Sequence, residues 1–234
     1  MFSLTLIVPA LNEEGNLQPT VLSIQPILEK YFSDYEILIF NDASQDQTGK
    51  IADELVSRNS KIKVIHNSQT MGLGYNYKRG VELAKKEYIS MIPGDNEITV
   101  ESFEIMFKKL GETDMIIPYT VNPEVRSISR QLLSQGFTFL INKISGLNLK
   151  YYNGPVAYRR DLIQSIEIET NSFAYQSEAL IQLLKAGHTY LETPMYIKAK
   201  EFGTTKAFHI SNITRVLQSI IKIFYAVHIQ KKYG

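Results

Sequence analysis

The sequence predicts an α/β protein whose mostly parallel central sheet is flanked by helices. Short apolar runs alternate with amphipathic stretches through the first half of the chain, which is the pattern of repeated βα units. Hydrophobic residues make up 44% of the 234 residues, which is enough for a sizeable buried core. The predicted strands are residues 4–8, 36–41, 63–67, 88–92 and 115–119, and the predicted helices between them are residues 15–31, 46–59 and 74–85.

The second half of the chain is less regular. Helices are predicted at residues 127–144 and 177–186, on either side of a loop that contains Asn153. No internal repeat or Pro/Gly-rich linker divides the chain. We therefore predict one domain over residues 1–208, followed by a C-terminal helix within residues 209–234.

The C-terminal segment has the pattern of an amphipathic helix with a basic side. Its apolar residues recur at intervals of three and four. They are Ile213, Val216, Leu217, Ile220, Ile221, Phe224 and Val227, while Arg215, Gln218, Ser219 and Lys222 share another face. Such a helix lies in a membrane interface, with its lysines near lipid headgroups, or packs on its own domain or on a partner chain.

Composition excludes several classes of function. Lys plus Arg number 25 against 24 Asp plus Glu, so the net charge of +1 predicts no nucleic-acid partner. The absence of cysteine excludes disulfides, thiolate metal sites and a cysteine nucleophile. We read no signal peptide at the N-terminus and no apolar run of about 18 residues, so the expected location is cytoplasmic, with any membrane contact peripheral.

Polar residues follow three of the predicted strands. They occupy residues 9–14 after the first strand, residues 41–46 after the second and residues 93–97 after the fourth. In open α/β sheets, ligands bind beyond the carboxyl ends of the strands. The sequence therefore predicts that these three segments converge on one binding site.

Two of these segments contain carboxylates suited to a metal or nucleotide. Asp95 and Glu97 lie two apart in a turn after a buried strand, and Mg²⁺ or Mn²⁺ commonly takes one or two carboxylates together with phosphate and water oxygens. The alternative is an ordinary surface turn. Asp42 in the second segment also has an alternative, which is to cap the helix that begins near Asp46.

Arg126 and Arg130 are spaced four apart, which would place two guanidinium groups on one helical face. Guanidinium groups bind phosphates through paired hydrogen bonds. The alternative is a solvated helix face with a surface ion pair. No histidine stands in a ligand spacing with another, and we assign none a role.

Four segments together resemble family 2 glycosyltransferases of the GT-A fold. They are residues 7–14, 41–48, 67–80 and 93–97, which match in order and spacing, and the likeness extends over about residues 3–205. The resemblance is greatest to the dolichol-phosphate mannose synthase and polyprenyl-phosphate glycosyltransferase branch. It implies inverting transfer of a sugar from a UDP- or GDP-sugar, with Mg²⁺ or Mn²⁺, to an acceptor such as a polyprenyl phosphate.

The resemblance also implies roles for individual residues. It implies that Asp95 and Glu97 bind the metal ion. The residues that it implies for binding the nucleotide sugar are Pro9, Ala10, Asn12, Glu13, Asp42, Gly72, Lys78 and Asp95. The departure is Pro93, which stands where the relatives usually have the first aspartate of the DXD motif, so that contact is missing or comes from elsewhere.

The acceptor side is assigned in the same way. The resemblance implies phosphate or acceptor binding by Arg126, Arg130, Asn153, Lys200 and Lys206, and catalytic roles for Asp95, Arg130 and Glu178. A phosphate acceptor is already anionic near neutral pH, because its second pKa is about 6, and requires no general base. A sugar hydroxyl acceptor would require one, and Glu178 is the candidate.

Two rival functions remain from the sequence. A nucleotidylyltransferase would open with a Gly-rich phosphate loop after the first strand, whereas this chain has the acidic residues 9–14 there. A degenerate transferase that binds nucleotide sugar or a membrane partner without turnover is compatible with Pro93 and with Lys200 in place of the relatives' arginine.

Overall fold

The protein forms a seven-stranded sheet with helices on both faces in a computed structural model that describes residues 1–199 and 210–229. The strands are β1 Phe2–Ala10, β2 Phe32–Asn41, β3 Ile62–His66, β4 Tyr88–Met91, β5 Met115–Thr120, β6 Ala157–Arg159 and β7 Tyr190–Met195. Their order in the sheet is β3-β2-β1-β4-β6-β5-β7. All neighbours pair in parallel except β6, which is antiparallel to both β4 and β5.

Eight α-helices lie within the described residues. They are α1 Leu17–Tyr31, α2 Thr48–Arg58, α3 Leu73–Leu83, α4 Val100–Phe107, α5 Ile128–Ser145, α6 Arg160–Ser165, α7 Tyr175–Lys185 and α8 Ile210–His228. A short 3₁₀ turn, Pro123–Val125, precedes α5. None of the helices in the described part of the chain is long and apolar enough to cross a bilayer.

The predicted α/β class and all five predicted strands are confirmed, and so are the six predicted helices to within three residues at each end. The prediction missed α4, α6, β6 and β7. The α4 segment is rich in β-branched and aromatic residues, which do not favour a helix. Three-residue β6 is too short to show a period, and Pro194 within β7 speaks against a strand.

The core has two layers, one on each face of the sheet. Alternate residues of β1 and β2 point to opposite faces, so Leu6 and Ile37 pack under α1 and α2 while Ile7 and Leu38 pack under α3 and α7. Both strands are therefore buried on both faces, as expected for parallel strands covered by helices.

Helix α8 packs through a face that matches the predicted apolar face only in part. Its buried residues include Ser219, which the sequence placed on the polar side, together with Ile223 and Ala226. Ser219 Oγ lies 2.7 Å from Thr170 Oγ1. Ile220 and Val227 of the predicted apolar face pack against the core, whereas Leu217, Ile221 and Phe224 of that face are exposed, so part of the apolar surface of α8 is not used in packing against the domain. Side chains of α8 are described from Val216 onwards.

Gly80 allows a close approach of α3 to β1, and Gly136 of α5 offers a helical glycine without such a contact. A Cβ on Gly80 would lie 2.6 Å from Ile7 Cδ1, and Ile7 is fully buried, whereas a Cβ on Gly136 in α5 would meet nothing within 4 Å. We expect Gly80→Ala to lower the free energy of unfolding by about 1–3 kcal/mol through overpacking. Gly136→Ala should raise it by up to about 1 kcal/mol, because alanine has the higher helix propensity.

Urea unfolding of the two variants beside the unchanged protein measures both effects. A neutral result for Gly80→Ala would mean that α3 can move away from β1 at little cost.

Candidate active site at the carboxyl ends of β1, β2 and β4

The backbone is strained just beyond three neighbouring strands. The non-glycine residues with positive φ in the described chain are Asn12, Ala43 and Asn96, at 52°, 59° and 56°, and they follow β1, β2 and β4. Left-handed backbone costs an alanine about 1–2 kcal/mol because its Cβ crowds the carbonyl oxygen. Strain of this kind persists where the surrounding structure imposes it, and it concentrates at functional sites. The three predicted segments do converge on one edge.

The loops after β1 and β2 are joined by hydrogen bonds at their tips. The backbone N–H of Asn12 donates to Ser44 Oγ (3.0 Å), and the backbone N–H of Gln45 donates to Asn12 Oδ1 (2.8 Å). The backbone N–H of Glu13 donates to Thr48 Oγ1 (2.7 Å). Asn12, predicted to contact the nucleotide, therefore ties the two loops together, and Ser44 and Thr48 are partners that the sequence analysis missed.

A second pair of contacts joins the same loops closer to the helices. The backbone N–H of Glu14 donates to Asp46 Oδ2 (3.2 Å), and Glu14 Oε2 accepts from the backbone N–H of Gln47 (2.9 Å). Asp46, one residue before the N-cap Gln47, also accepts the backbone N–H of Thr48, the first residue of α2, through its Oδ1 (2.9 Å). Among the described contacts, Asp42 makes none with the first turn of α2, where the first free backbone N–H is taken by Asp46 instead.

Asp42 shapes the loop after β3. It is 4% exposed. Its Oδ1 accepts from Asn67 Nδ2 (2.7 Å) and from the backbone N–H of Met71 (2.8 Å), and its Oδ2 accepts from the backbone N–H of Gly72 (2.9 Å). Gly72 has φ of 94°, a conformation that favours glycine. The carboxylate thus fixes the course of residues 67–72 beside the end of β2.

Asn67 and Asn76 extend this network. Asn67 Nδ2 also donates to Asn76 Oδ1 (2.7 Å), and Asn76 is 1% exposed on the inner face of α3. The sequence analysis placed both within the segment that resembles the family but gave neither a role. A buried asparagine among apolar residues of an amphipathic helix was the available sign, because such a side chain needs hydrogen-bond partners.

The β4 loop lies against the end of β1. The backbone N–H of Gly94 donates to Pro9 O at 3.0 Å, and a Cβ on Gly94 would lie 3.2 Å from Ala10 Cβ. This contact brings Asp95, which is partly buried, next to Pro9 and Ala10 at the strand edge. Asp95 Oδ1 accepts from the backbone N–H of Glu97 (3.2 Å), so the carboxylate also stabilises its own turn.

Glu97 pairs with both predicted phosphate-binding arginines. Arg130 Nη2 and Nη1 lie 3.1 and 3.4 Å from the two oxygens of the Glu97 carboxylate, and Arg126 Nη2 lies 3.8 Å from Oε2. Arg126 Nη1 also donates to Tyr151 Oη (3.2 Å). Glu97 is 6% exposed, so this charge cluster is largely removed from water. The predicted second metal ligand and the predicted phosphate binders therefore form a single group.

The prediction that Arg126 and Arg130 lie on one helical face is wrong. It follows the 3₁₀ turn and precedes the first residue of α5, whereas Arg130 lies in the first turn of that helix. Both guanidinium groups nevertheless reach Glu97. The Nε of Arg126 is buried without a hydrogen-bond partner among the described residues, so this guanidinium retains a donor.

The carboxylates at this edge suit a divalent ion only in part. No group of three or more acidic or histidine side chains converges within residues 1–199 and 210–229. Asp95 could supply one oxygen ligand, and Mg²⁺ sites near nucleotides commonly take their remaining ligands from phosphates and water. Glu97, predicted as the second ligand, has its carboxylate directed to the arginines.

Glu178 is a loop anchor. Its two carboxylate oxygens accept the backbone N–H groups of Glu169 (2.8 Å) and Thr170 (3.0 Å), and burial raises the pKa of the carboxyl. Lys78 Nζ donates to the carbonyl oxygen of Glu169 (3.2 Å), which holds the same loop to α3. With both oxygens bonded to the backbone, Glu178 has a geometry that argues against its predicted role as a general base.

The remaining predicted residues divide into three groups. Glu13 is buried, and its Oε2 accepts from Asn16 Nδ2 (2.7 Å) at the start of α1. Asn153 is exposed, in a loop whose next residue, Gly154, passes close to Pro118 O of β5. Lys200 and Lys206 lie outside the described residues.

The segments that form the site lie within a match to a known protein family. A family model described as glycosyl transferase family 2 matches residues 5–166, which is more than half of the chain. The chain belongs to glycosyl transferase family 2. The match runs from β1 into α6 and includes all three strand ends of the site.

Several relatives of this family 2 chain act on polyprenyl phosphates according to their names. An undecaprenyl-phosphate mannosyltransferase of Micrococcus luteus is 24% identical over 212 residues, which are 86% of this chain and 85% of that protein. A dodecaprenyl-phosphate galacturonate synthase of Rhizobium johnstonii is 21% identical, covering 99% of this chain and 69% of that protein. Glycosyltransferase AglD of Haloferax volcanii is 21% identical, and the chain spans only 38% of its length.

Solved structures confirm the GT-A fold predicted for the family 2 chain. Glucosyl-3-phosphoglycerate synthase from Mycobacterium tuberculosis in complex with UDP superimposes with a TM-score of 0.70 at 15% identity, covering 96% of this chain and 79% of that chain. The complex of the same enzyme with Mn²⁺, UDP and glucosyl-3-phosphoglycerate gives 0.68.

Asp42→Asn should weaken nucleotide binding through the loop of residues 67–72. An amide cannot accept from all three present donors, so at least one buried N–H loses its partner, at a cost of about 1–3 kcal/mol. We expect a lower unfolding temperature and weaker UDP or GDP binding by calorimetry. Asp53→Asn is the control, because Asp53 is exposed and pairs with His66 away from the loop of residues 67–72. Equal behaviour of the two variants would remove Asp42 from the site.

Glu97→Gln should leave the charges of Arg126 and Arg130 without their carboxylate. We expect a loss of about 1.5–3 kcal/mol in the free energy of unfolding, the range for hydrogen bonds to charged groups. Glu54→Gln is the matched control, since Glu54 forms an exposed ion pair with Arg58 that should contribute little. Urea unfolding of both variants measures the difference, and similar values would show that the cluster does not hold the arginines.

Proposed function

We propose that this family 2 chain transfers a sugar, with inversion, from a nucleotide diphosphate sugar to a polyprenyl phosphate. The observation on which the proposal rests is the pairing of Glu97 with Arg126 and Arg130 beside Asp95. Two guanidinium groups next to a carboxylate suited to a metal ion form a place where an acceptor phosphate and a donor diphosphate can meet.

The donor is assigned to the edge formed by β1, β2 and β4. Pro9, Ala10 and Asp42 lie there together with the loop of residues 67–72. We propose that Asp95 holds Mg²⁺ or Mn²⁺, an ion that neutralises the diphosphate as it leaves. The family 2 fold and the UDP and Mn²⁺ in the titles of the structural relatives support this assignment.

The state of Glu178 supports a phosphate acceptor over a sugar hydroxyl. A hydroxyl must lose its proton as it attacks, which needs a carboxylate within hydrogen-bond reach. Glu178, the candidate for that role, directs both oxygens to the backbone. A phosphate monoester is already ionised near neutral pH. Its oxygen can attack the anomeric carbon directly while Arg126 and Arg130 orient it, and the names of two relatives point the same way.

We place the enzyme on the cytoplasmic face of a membrane as a peripheral protein, where a polyprenyl phosphate and a cytosolic sugar nucleotide are both within reach. The catalytically degenerate scaffold is the second candidate, because Pro93 leaves the motif without its first aspartate. Turnover with a defined acceptor separates the two.

Thermal unfolding with UDP, GDP and their common sugars, each with Mn²⁺ or with chelator, identifies the donor. A ligand at 100 times its dissociation constant adds about 2.7 kcal/mol of stability. We expect one nucleotide to stabilise the protein in a metal-dependent manner and Asp95→Ala to abolish both this shift and transfer to undecaprenyl phosphate. Asp53→Ala, an exposed residue, should keep both.

Two results would contradict the proposal. Transfer that survives in Asp95→Ala would remove this carboxylate from the reaction. Metal-dependent nucleotide binding without turnover on any prenyl phosphate would favour the scaffold.

A further inference from the structure

Helix α5 projects an apolar surface into solvent. None of its residues 128–140 is buried, and its buried residues begin only at Ile141. Its large exposed side chains are Ile128 (74%), Leu132 (63%), Leu133 (47%), Phe139 (64%) and Leu140 (40%). Contiguous exposed apolar side chains are unusual in a protein without a partner and mark an interaction surface.

The three most exposed of these residues form a stripe. At about 100° per residue, Ile128, Leu132 and Phe139 fall within about 40° of one another around the α5 axis, and Ile141 falls on the opposite side. The helix thus has one side for the domain core and another apolar side without a partner in the described chain.

Helix α8, which contacts α5, carries a second apolar stripe. The ring of His228 near its end lies 2.9 Å from the carbonyl oxygen of Ile144 near the end of α5. Leu217, Ile221 and Phe224 are exposed by 53%, 68% and 48% while α8 buries its other side. We call the two stripes together the α5–α8 surface.

The charge around the α5–α8 surface indicates which kind of partner covers it. Residues 125–160 and 202–234 contain no Asp or Glu in a chain with 24 acidic residues, while Lys143 lies on α5 and Lys222 lies on α8. A second copy of the chain would bring the same cations to a symmetric interface, where they would repel. An apolar stripe flanked by cations and lacking acids matches an anionic bilayer interface.

The α5–α8 surface also begins at the proposed acceptor site. Arg130 lies between Ile128 and Leu132 in sequence, and its guanidinium reaches back to Glu97 at the sheet edge. A lipid phosphate carries its charge at the headgroup level and its chain in the hydrocarbon. The same arrangement of charge beside apolar surface occurs at the start of α5.

We propose that α5 lies in the interface of an anionic bilayer with Ile128, Leu132 and Phe139 immersed, and that α8 extends the contact. In this orientation Arg126 and Arg130 meet the acceptor phosphate at the membrane surface. The inference rests on the proposed function for the identity of that acceptor, whereas the membrane contact follows from the α5–α8 surface itself.

Vesicle flotation of the full chain tests the contact directly. Vesicles contain phosphatidylcholine alone or mixed with an equal part of phosphatidylglycerol. We expect preference for the anionic vesicles and a loss of binding of about tenfold or more when Ile128→Ser, Leu132→Ser and Phe139→Ser are combined, because each side chain contributes buried apolar area. The control combines Leu22→Ser and Leu83→Ser, exposed leucines of α1 and α3, and should bind like the unchanged protein.

Transfer assays separate this inference from the proposed function. Thermal unfolding first establishes that the triple variant is folded. It should then lose about tenfold in transfer to a long-chain prenyl phosphate in vesicles but keep its rate with a short, water-soluble prenyl phosphate. Unchanged vesicle binding of the triple variant would overturn the membrane surface and leave the transferase intact.

Two further outcomes are also decisive. If vesicle binding depends on α5 but the protein transfers sugar to neither prenyl phosphate, the membrane contact is supported and the proposed function is rejected. A change in sedimentation from dimer to monomer in the triple variant, with no effect on vesicles, would make α5 an interface between copies and overturn the inference.

Discussion

The parallel pairing of β1 with both β2 and β4 is the constraint on which the site depends. Ile7 of β1 is in register with Leu38 and with Met91, and β1 and β2 end together at Ala10 and Asn41. Strand β4 ends at Met91, but the backbone N–H of Gly94 donates to Pro9 O, so the chain after β4 stays beside β1 and the three loops leave the sheet side by side. The strained residues Asn12 and Ala43 stand directly beyond these ends. Because the buried strands fix the positions of the loop ends, the loops can hold backbone conformations that they would not adopt alone.

Buried carboxylates give those loops their shape. Asp42, Glu97 and Glu178 are all less than 9% exposed, and each carboxylate accepts hydrogen bonds from backbone N–H groups or from arginine. An unpaired buried carboxylate would cost several kcal/mol, so these donors are obligatory and each acid fixes the segment that supplies them. The sequence analysis assigned all three acids to direct ligand contact, yet in this structure each also holds a loop or a side chain of the site in place.

The Glu97 cluster connects the polar edge of the sheet to the exposed surface of α5. Arg130 takes part in the cluster and also stands at the start of the apolar stripe of α5. The proposed transfer of a sugar from a water-soluble nucleotide diphosphate sugar to a lipid phosphate would need charged groups for phosphates and apolar surface for the hydrocarbon within a few residues of each other. One helix supplies both here, because its first turn faces the site while its outer side faces away from the domain.

The sequence by itself determined the α/β class, the first five strands and the edge at which the site lies. These follow from local periodicity and from strand-end motifs, since a βα unit is encoded within some 30 neighbouring residues. It did not determine β6 and β7, whose short or proline-containing segments become strands through pairing with β4 and β5 for β6 and with β5 for β7. Only the tertiary structure decided which partner each polar residue takes: Glu97 meets Arg130, and Ser219 meets Thr170. Such contacts join segments far apart in the chain, and residue spacing does not specify which individual side chains of distant segments will meet.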